Sequence, residues 1–251
     1  MNCNKAGLIL LLSGMSYMTN ADTVLGFYAG AQGWDMGSSG GFADQASLTD
    51  FSFDSETNGS FYVALEHPVP LLPNIKLVNT TLDTAGSTLV DASFTFDGEL
   101  FIANNLVANS TELTVTDYIL YYEIFDNDLI SVDLGVNGKY LDGSLTVEDS
   151  QTNQVGSEDF SELVPTAYSR VSFGLPFTGL GVYAEGSYLA ISDSTVSDFQ
   201  VAVTYSFIES LALDLTLQLG YRDMSIELDD VDDIYSNLAF DGAFAGIEFH
   251  F

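Results

Sequence analysis

The last twelve residues of the chain alternate. Ala243, Ala245, Ile247, Phe249 and Phe251 fall on one face of an extended backbone, and Gly242, Phe244, Gly246, Glu248 and His250 on the other. A period of two is the signature of a β-strand. The same period recurs upstream, most clearly from Leu211 to Arg222. There Leu211, Leu213, Leu215, Leu217, Leu219 and Tyr221 oppose Ala212, Asp214, Thr216, Gln218, Gly220 and Arg222. Eight further segments read the same way: about Thr23 to Trp34, Ser60 to His67, Ile75 to Leu82, Thr114 to Ile124, Leu129 to Leu141, Val164 to Gly174, Leu180 to Ala190 and Asp198 to Phe207. Past the first fifteen residues, no stretch approaches the roughly 18 consecutive apolar residues of a membrane-spanning helix. The chain must therefore bury its apolar surface through strands.

Alternation alone does not say whether the apolar faces meet a protein core or lipid. Strand length, the terminal residues and the asymmetry of the connections separate the two. After the second, fourth, sixth and eighth segments the connections are short: 68–74, 125–128, 175–179 and 208–210. After the odd segments they run roughly over 35–59, 83–113, 142–163, 191–197 and 223–236, and are mostly longer and polar. Short turns on one side and long loops on the other mark a transmembrane antiparallel up-and-down β-barrel, apolar outside and polar inside. We expect an all-β barrel of about ten strands in one domain spanning residues 22–251. The segment Leu89 to Phe101 leaves eight or twelve strands open, because it can form a hairpin or extend strands above the membrane. Residues 35–59, rich in Gly, Ser and Asp, read as a mobile loop. Aromatics make up 13% and apolar residues 47% of the chain, which excludes disorder of the whole despite the acidity.

The N-terminus reads as an export signal. Met1 to Lys5 carries one positive charge, Ala6 to Met15 is apolar but too short to span, and Thr19-Asn20-Ala21 places cleavage after Ala21. Residues 1–21 are thus expected to be a signal peptide for the Sec pathway, bound for a Gram-negative outer membrane. Cys3, the one cysteine, precedes the apolar run and so cannot serve as a lipoprotein acylation site.

The net charge is −31, with 36 acidic and 5 basic residues. That excludes nucleic-acid binding, which needs a basic footprint. It also disfavours direct contact with anionic lipid unless divalent cations bridge the two. Beyond the signal peptide only Lys76, Lys139, Arg170 and Arg222 are basic, and all fall on the inward phase. Glu66, Asp117, Glu123, Asp133, Glu185, Asp214 and Glu248 share that phase. An Arg or Lys on the lipid face near the midplane costs about 2–4 kcal/mol, so inward placement is expected. Two readings follow: an ion-pair network that fills the lumen of a structural or surface-interaction barrel, or a narrow cation-leaning, porin-like channel. Asp229, Asp230, Asp232 and Asp233 form a weak Ca²⁺ candidate, without EF-hand spacing. No enzyme is expected. The two histidines, His67 and His250, lie at the short-turn end, away from a surface-facing site, and no His/Cys set suits zinc. No cofactor is called for. The expected partners are outer-membrane lipid, lipopolysaccharide and the outer-membrane assembly machinery.

The tail resembles the C-terminal assembly signal of outer-membrane barrels, which ends on two alternate aromatics with a glycine three positions before the first. Gly246, Phe249 and Phe251 match it, while Phe244 stands where that signal usually carries a polar residue. The mature chain also resembles a small, uncharacterised family of proteobacterial outer-membrane barrels. The likeness lies in Val24-Leu25-Gly26-Phe27-Tyr28-Ala29-Gly30, in Ala64-Leu65-Glu66-His67-Pro68-Val69-Pro70-Leu71-Leu72-Pro73-Asn74, and in Asp117-Tyr118-Ile119-Leu120-Tyr121-Tyr122-Glu123-Ile124. That family is associated with a Gly-Gly C-terminal sorting system, whose tail this chain lacks. The resemblance implies fold and location but no activity.

Overall fold

Strands carry the architecture of the described residues. The computed structural model describes residues 25–43, 47–127, 129–191, 194–208, 210, 213–231 and 234–251. The expected signal peptide and Cys3 lie outside the described residues. In chain order the strands are β1 (Gly26–Ala43), β2 (Thr49–Ser52), β3 (Glu56–Glu66), β4 (Asn74–Thr81), β5 (Thr84–Leu89), β6 (Phe94–Phe96), β7 (Glu99–Phe101), β8 (Leu106–Asp126), β9 (Ile130–Asp149), β10 (Gln154–Gly174), β11 (Leu180–Ile191), β12 (Ser194–Ile208), β13 (Asp214–Val231) and β14 (Ile234–His250).

Ten of them close an antiparallel barrel in the order β1, β3, β4, β8, β9, β10, β11, β12, β13 and β14, with β14 returning to β1. The closing seam is long, running from Tyr28↔His250 to Ala43↔Tyr235. Phe251 extends it: its N–H donates to the Phe27 carbonyl at 2.9 Å, and the Phe27 N–H donates back at 3.3 Å. The tail is thus the last stave, paired with the first. β5 continues the β4 position on β8, from Thr84↔Thr111 to Leu89↔Leu106. β6 and β7 form a separate hairpin. Its Asp97-Gly98 corner has both φ angles positive, at 51° and 69°, as a tight two-residue turn of this hand requires. Leu89 to Phe101 therefore does both things the sequence left open.

The strands are longer than the alternation suggested, and the long loops shrink accordingly. Residues 35–43 belong to β1, 49–52 to β2 and 56–59 to β3, so the segment expected to be a mobile loop is mostly strand. Likewise 142–149 ends β9, 154–163 begins β10 and 223–231 ends β13.

The reason is an inversion of polarity along each stave. On β13 the outward residues are Leu215, Leu217, Leu219 and Tyr221, then Asp223, Ser225 and Glu227. The inward ones are Thr216, Gln218 and Arg222, then Met224, Ile226 and Leu228, all but Thr216 buried. On β8 the buried inward residues run Val107, Asn109, Thr111, Leu113, Val115, Asp117, Ile119 and Tyr121, while the outward side changes from Glu112, Thr114 and Thr116 to Tyr118, Leu120, Tyr122 and Ile124. β9 does the same, with Leu134, Val136 and Tyr140 outside below and Asp142, Ser144 and Thr146 outside above. Between the irregularities near the strand ends, at Glu123/Phe125 on β8 and Leu228/Val231 on β13, the phase holds and only the chemistry exchanges sides. The half near the short turns is a lipid-facing barrel. The other half is organised like a water-soluble barrel, polar outside and apolar within. At the boundary on β13, Tyr221 donates its hydroxyl to Asp241 on β14.

Candidate functional site

Among the described residues, chemistry gathers in the lumen, which has three levels. The outermost is apolar. Trp34, Met36, Leu113, Val115, Leu141, Leu145, Val147, Met224, Ile226, Phe240 and Phe244 form one buried cluster across the barrel. Phe42, Phe51, Phe94, Phe96 and Phe101 continue it upward, with ring centroids 4.4 Å (Phe42–Phe51), 5.0 Å (Phe42–Phe96) and 5.1 Å (Phe94–Phe101) apart. Short β2 and the β6–β7 hairpin thus supply rings to the same cap. Phe244 is 2% exposed. A Cβ on Gly220 would lie 2.6 Å from its ring, so that glycine leaves the space Phe244 fills. The aromatic that departs from the assembly-signal pattern is a core residue of the lumen.

Beneath the cap lies a layer of ion pairs. The Lys139 ammonium, fully buried, stands 2.8 Å from Asp117 and 3.0 Å from Asp198. Arg222 grips Asp198 with Nε at 2.9 Å and Nη2 at 2.8 Å, the fork geometry that makes Arg–carboxylate pairs strong. Its Nη1 donates to Thr80, and its guanidinium lies 5.0 Å over the Trp34 ring at the base of the cap. Lys76 meets Glu185 at 2.5 Å. Glu185 also takes Arg170 at 3.6 Å, the Tyr168 hydroxyl at 3.1 Å and Gln200 at 3.3 Å. A neutral chain completes the layer: Gln32 donates to Gln218, Gln218 to Tyr62, and Tyr62 to Glu248. All ten barrel strands contribute a member. The space left among Gln32, Lys76, Asp117, Asn137 and Arg222 is about 40 Å³, room for one or two waters.

The innermost level is an open vestibule at the short-turn end, where both strand termini of the closing seam lie. A recess of about 240 Å³ is lined by Tyr28, Glu66, Tyr121, Glu123, Asp133 and Arg170 among others. Glu66 accepts from Tyr121 at 2.7 Å. Asp214 lies 3.5 Å from His250, whose ring stacks on Tyr28 with centroids 4.1 Å apart.

Sequence phase thus placed all eleven expected charges on the inward side, but the structure does not join them into one network. Lys76, Lys139, Arg170, Arg222, Asp117 and Glu185 share the ion-pair layer. Glu66, Glu123, Asp133 and Asp214 line the vestibule instead, and Glu248 lies at the junction, lining the vestibule while accepting from Tyr62 of the layer. Asp198, the carboxylate that two cations share, was missed. Its signal was present: Phe199, Val201 and Val203 point outward, so Asp198 must point inward. The inward tyrosines Tyr62, Tyr121, Tyr168 and Tyr183 were missed for a similar reason, being aromatic yet serving as hydrogen-bond partners, the first three of carboxylates and Tyr183 of the Gln32 and Gln218 amides. His67 is spent on its own turn, 3.1 Å from the Pro73 carbonyl. Asp232 and Asp233 lie outside the described residues. Among the described residues no three His, Cys, Asp or Glu side chains are grouped to hold a metal ion. Gly246 faces inward, where a Cβ would meet Gln32 at 2.8 Å. The Phe249 and Phe251 rings stack outside, 6.5 Å apart.

No family model and no curated protein matches the chain. Among solved structures, the outer membrane protease OmpT from Escherichia coli is similar at 10% identity and a TM-score of 0.49, covering 90% of this chain and 97% of its own. Ail, the attachment invasion locus protein of Yersinia pestis, gives 10% identity and a TM-score of 0.37, covering 90% and 99%. The Pseudomonas putida toluene transporter TodX gives 8% and 0.32, covering 92% and 90%. Likeness at this level carries no functional argument. The fold rests on the barrel's own closure and on its lipid-facing band, which support an outer-membrane location.

Proposed function

We propose that this chain is a closed outer-membrane barrel with a structural or surface-interaction role, not a conduit. The observation that carries the reading is the double seal: an apolar cap stacked directly on a charge-paired layer. An ion crossing the lumen would have to separate Lys139 from Asp117 and Asp198, then shed its water among Leu113, Leu145 and Phe240. Apolar constrictions of this kind close a pore by dewetting. The acidic outer wall of the upper half then meets the medium and the lipopolysaccharide head groups. In this reading, residues 1–21 direct Sec export and the terminal Gly246, Phe249 and Phe251 engage the assembly machinery. Membership of the Gly-Gly-associated barrel family belongs to the same reading.

The rival is the cation-leaning channel, for which the acidic vestibule is the supporting feature. Purified protein in a planar bilayer separates them. The closed barrel gives a silent membrane, and steady cation-selective steps from folded protein overturn it.

A further inference from the structure

The turn joining β3 to β4 carries side chains for which the barrel has no use. Leu71 is 93% exposed and its φ is 68°. That left-handed region suits glycine and is a true outlier for a bulky residue. The strain is not the slack of a loose loop. The His67 N–H donates to Asn74 Oδ1 at 3.0 Å, and the Leu72 N–H to the Val69 carbonyl at 3.4 Å. Pro68, Pro70 and Pro73 fix φ at three of the turn's positions. A rigid turn therefore holds one leucine outward, with Val69 and Leu72 exposed beside it.

One contact gives the direction. Tyr122 stands on the outward, lipid-facing phase of β8 and donates its hydroxyl to the Leu71 carbonyl at 2.9 Å. A residue on the outer wall reaches that carbonyl because the turn leans over the wall rather than across the mouth. Beside it, Ile75, Leu120 and Ile124 are exposed and apolar on the same wall. Leu71 thus continues the lipid-facing band below its last strand residues. Tyr122 occupies the height at which aromatic rings with a polar tip sit at a membrane interface.

We propose that residues 68–73 form an interfacial anchor, and that Leu71, flanked by Val69 and Leu72, is seated in the boundary between acyl chains and head groups of the periplasmic leaflet. The partner is lipid. It recovers the apolar area that the fold leaves bare, and the proline-rich turn presents that area already ordered, so little freedom is lost on insertion.

The test uses the full chain with Cys3→Ser and Leu71→Cys, labelled with bimane and refolded into phosphatidylcholine vesicles. A heat-dependent mobility shift on a denaturing gel verifies closure. Val201→Cys, on the lipid-facing wall of β12, and Asp142→Cys, on the polar outer wall of β9, bracket the response. Lipids brominated near the carbonyl end of the acyl chain are expected to quench the label at position 71 about threefold more than the label at position 142, and aqueous iodide correspondingly less, as for a segment seated in the interface. A label at position 71 that iodide quenches as fully as at position 142, and that brominated lipid leaves unchanged, overturns the anchor and leaves the turn free for a periplasmic protein.

Discussion

The bond between Arg222 and Asp198 offers the sharpest test of the ion-pair layer. Both side chains are buried, at 6% and 12% exposure. Arg222→Met leaves Asp198 with only Lys139, which Asp117 already shares at 2.8 Å. Two carboxylates then compete for one ammonium in a site with little room for water. Breaking a buried pair from one side costs about 3–5 kcal/mol, mostly for the charge left behind. Asp198→Asn alone errs the other way, leaving Lys139 and Arg222 with Asp117. The double variant Arg222→Met/Asp198→Asn removes one charge of each sign, so that Lys139 and Asp117 still balance. It should therefore cost much less than the sum of the singles, with a coupling of about 2–3 kcal/mol. Urea-induced unfolding in phospholipid vesicles, followed by gel mobility, measures all four corners of the cycle. Additivity within about 0.5 kcal/mol would mean that water already solvates the pair, and the sealed layer would be wrong.

Two further predictions probe the inversion and the cap. Leu219→Arg, on the lipid wall of β13, should cost about 2–4 kcal/mol, whereas Ser225→Arg on the same outward face of the same strand should stay within about 0.5 kcal/mol. Equal costs in vesicle unfolding would move the membrane boundary. Phe244→Ala should cost about 3–5 kcal/mol through the cavity it leaves, and Phe244→Leu clearly less; if both are neutral, the ring does not support the cap.

A barrel of about ten antiparallel staves and the inward phase of the expected charges were legible in the sequence, although Leu89 to Phe101 left eight or twelve staves open. They follow from a period of two, from turn length and from the terminal residues. The upper half was not, because its pattern is the same period with the chemistry reversed. Asp142-Gly143-Ser144-Leu145-Thr146-Val147 looks polar when only outward residues are expected to be apolar, yet Leu145 and Val147 are buried core. Phe244 looked anomalous for the same reason, having been weighed as part of an assembly signal rather than as a lumen residue. Asp198 sits where the exchange occurs, next to outward Phe199, at the first residue of the expected segment Asp198 to Phe207, whereas β12 already begins at Ser194. The division of charges between a paired layer and a vestibule depends on heights set by strand register, which no single strand reveals.

The exclusively inward placement of the basic side chains has a consequence for digestion. Among the described residues Lys76, Lys139, Arg170 and Arg222 are the only ones after which a trypsin-like protease cuts, and each is enclosed by ten staves. The folded wall offers such an enzyme no cleavable bond. Tryptic fragments therefore report opened molecules alone, and the barrel keeps its own count of how often it opens.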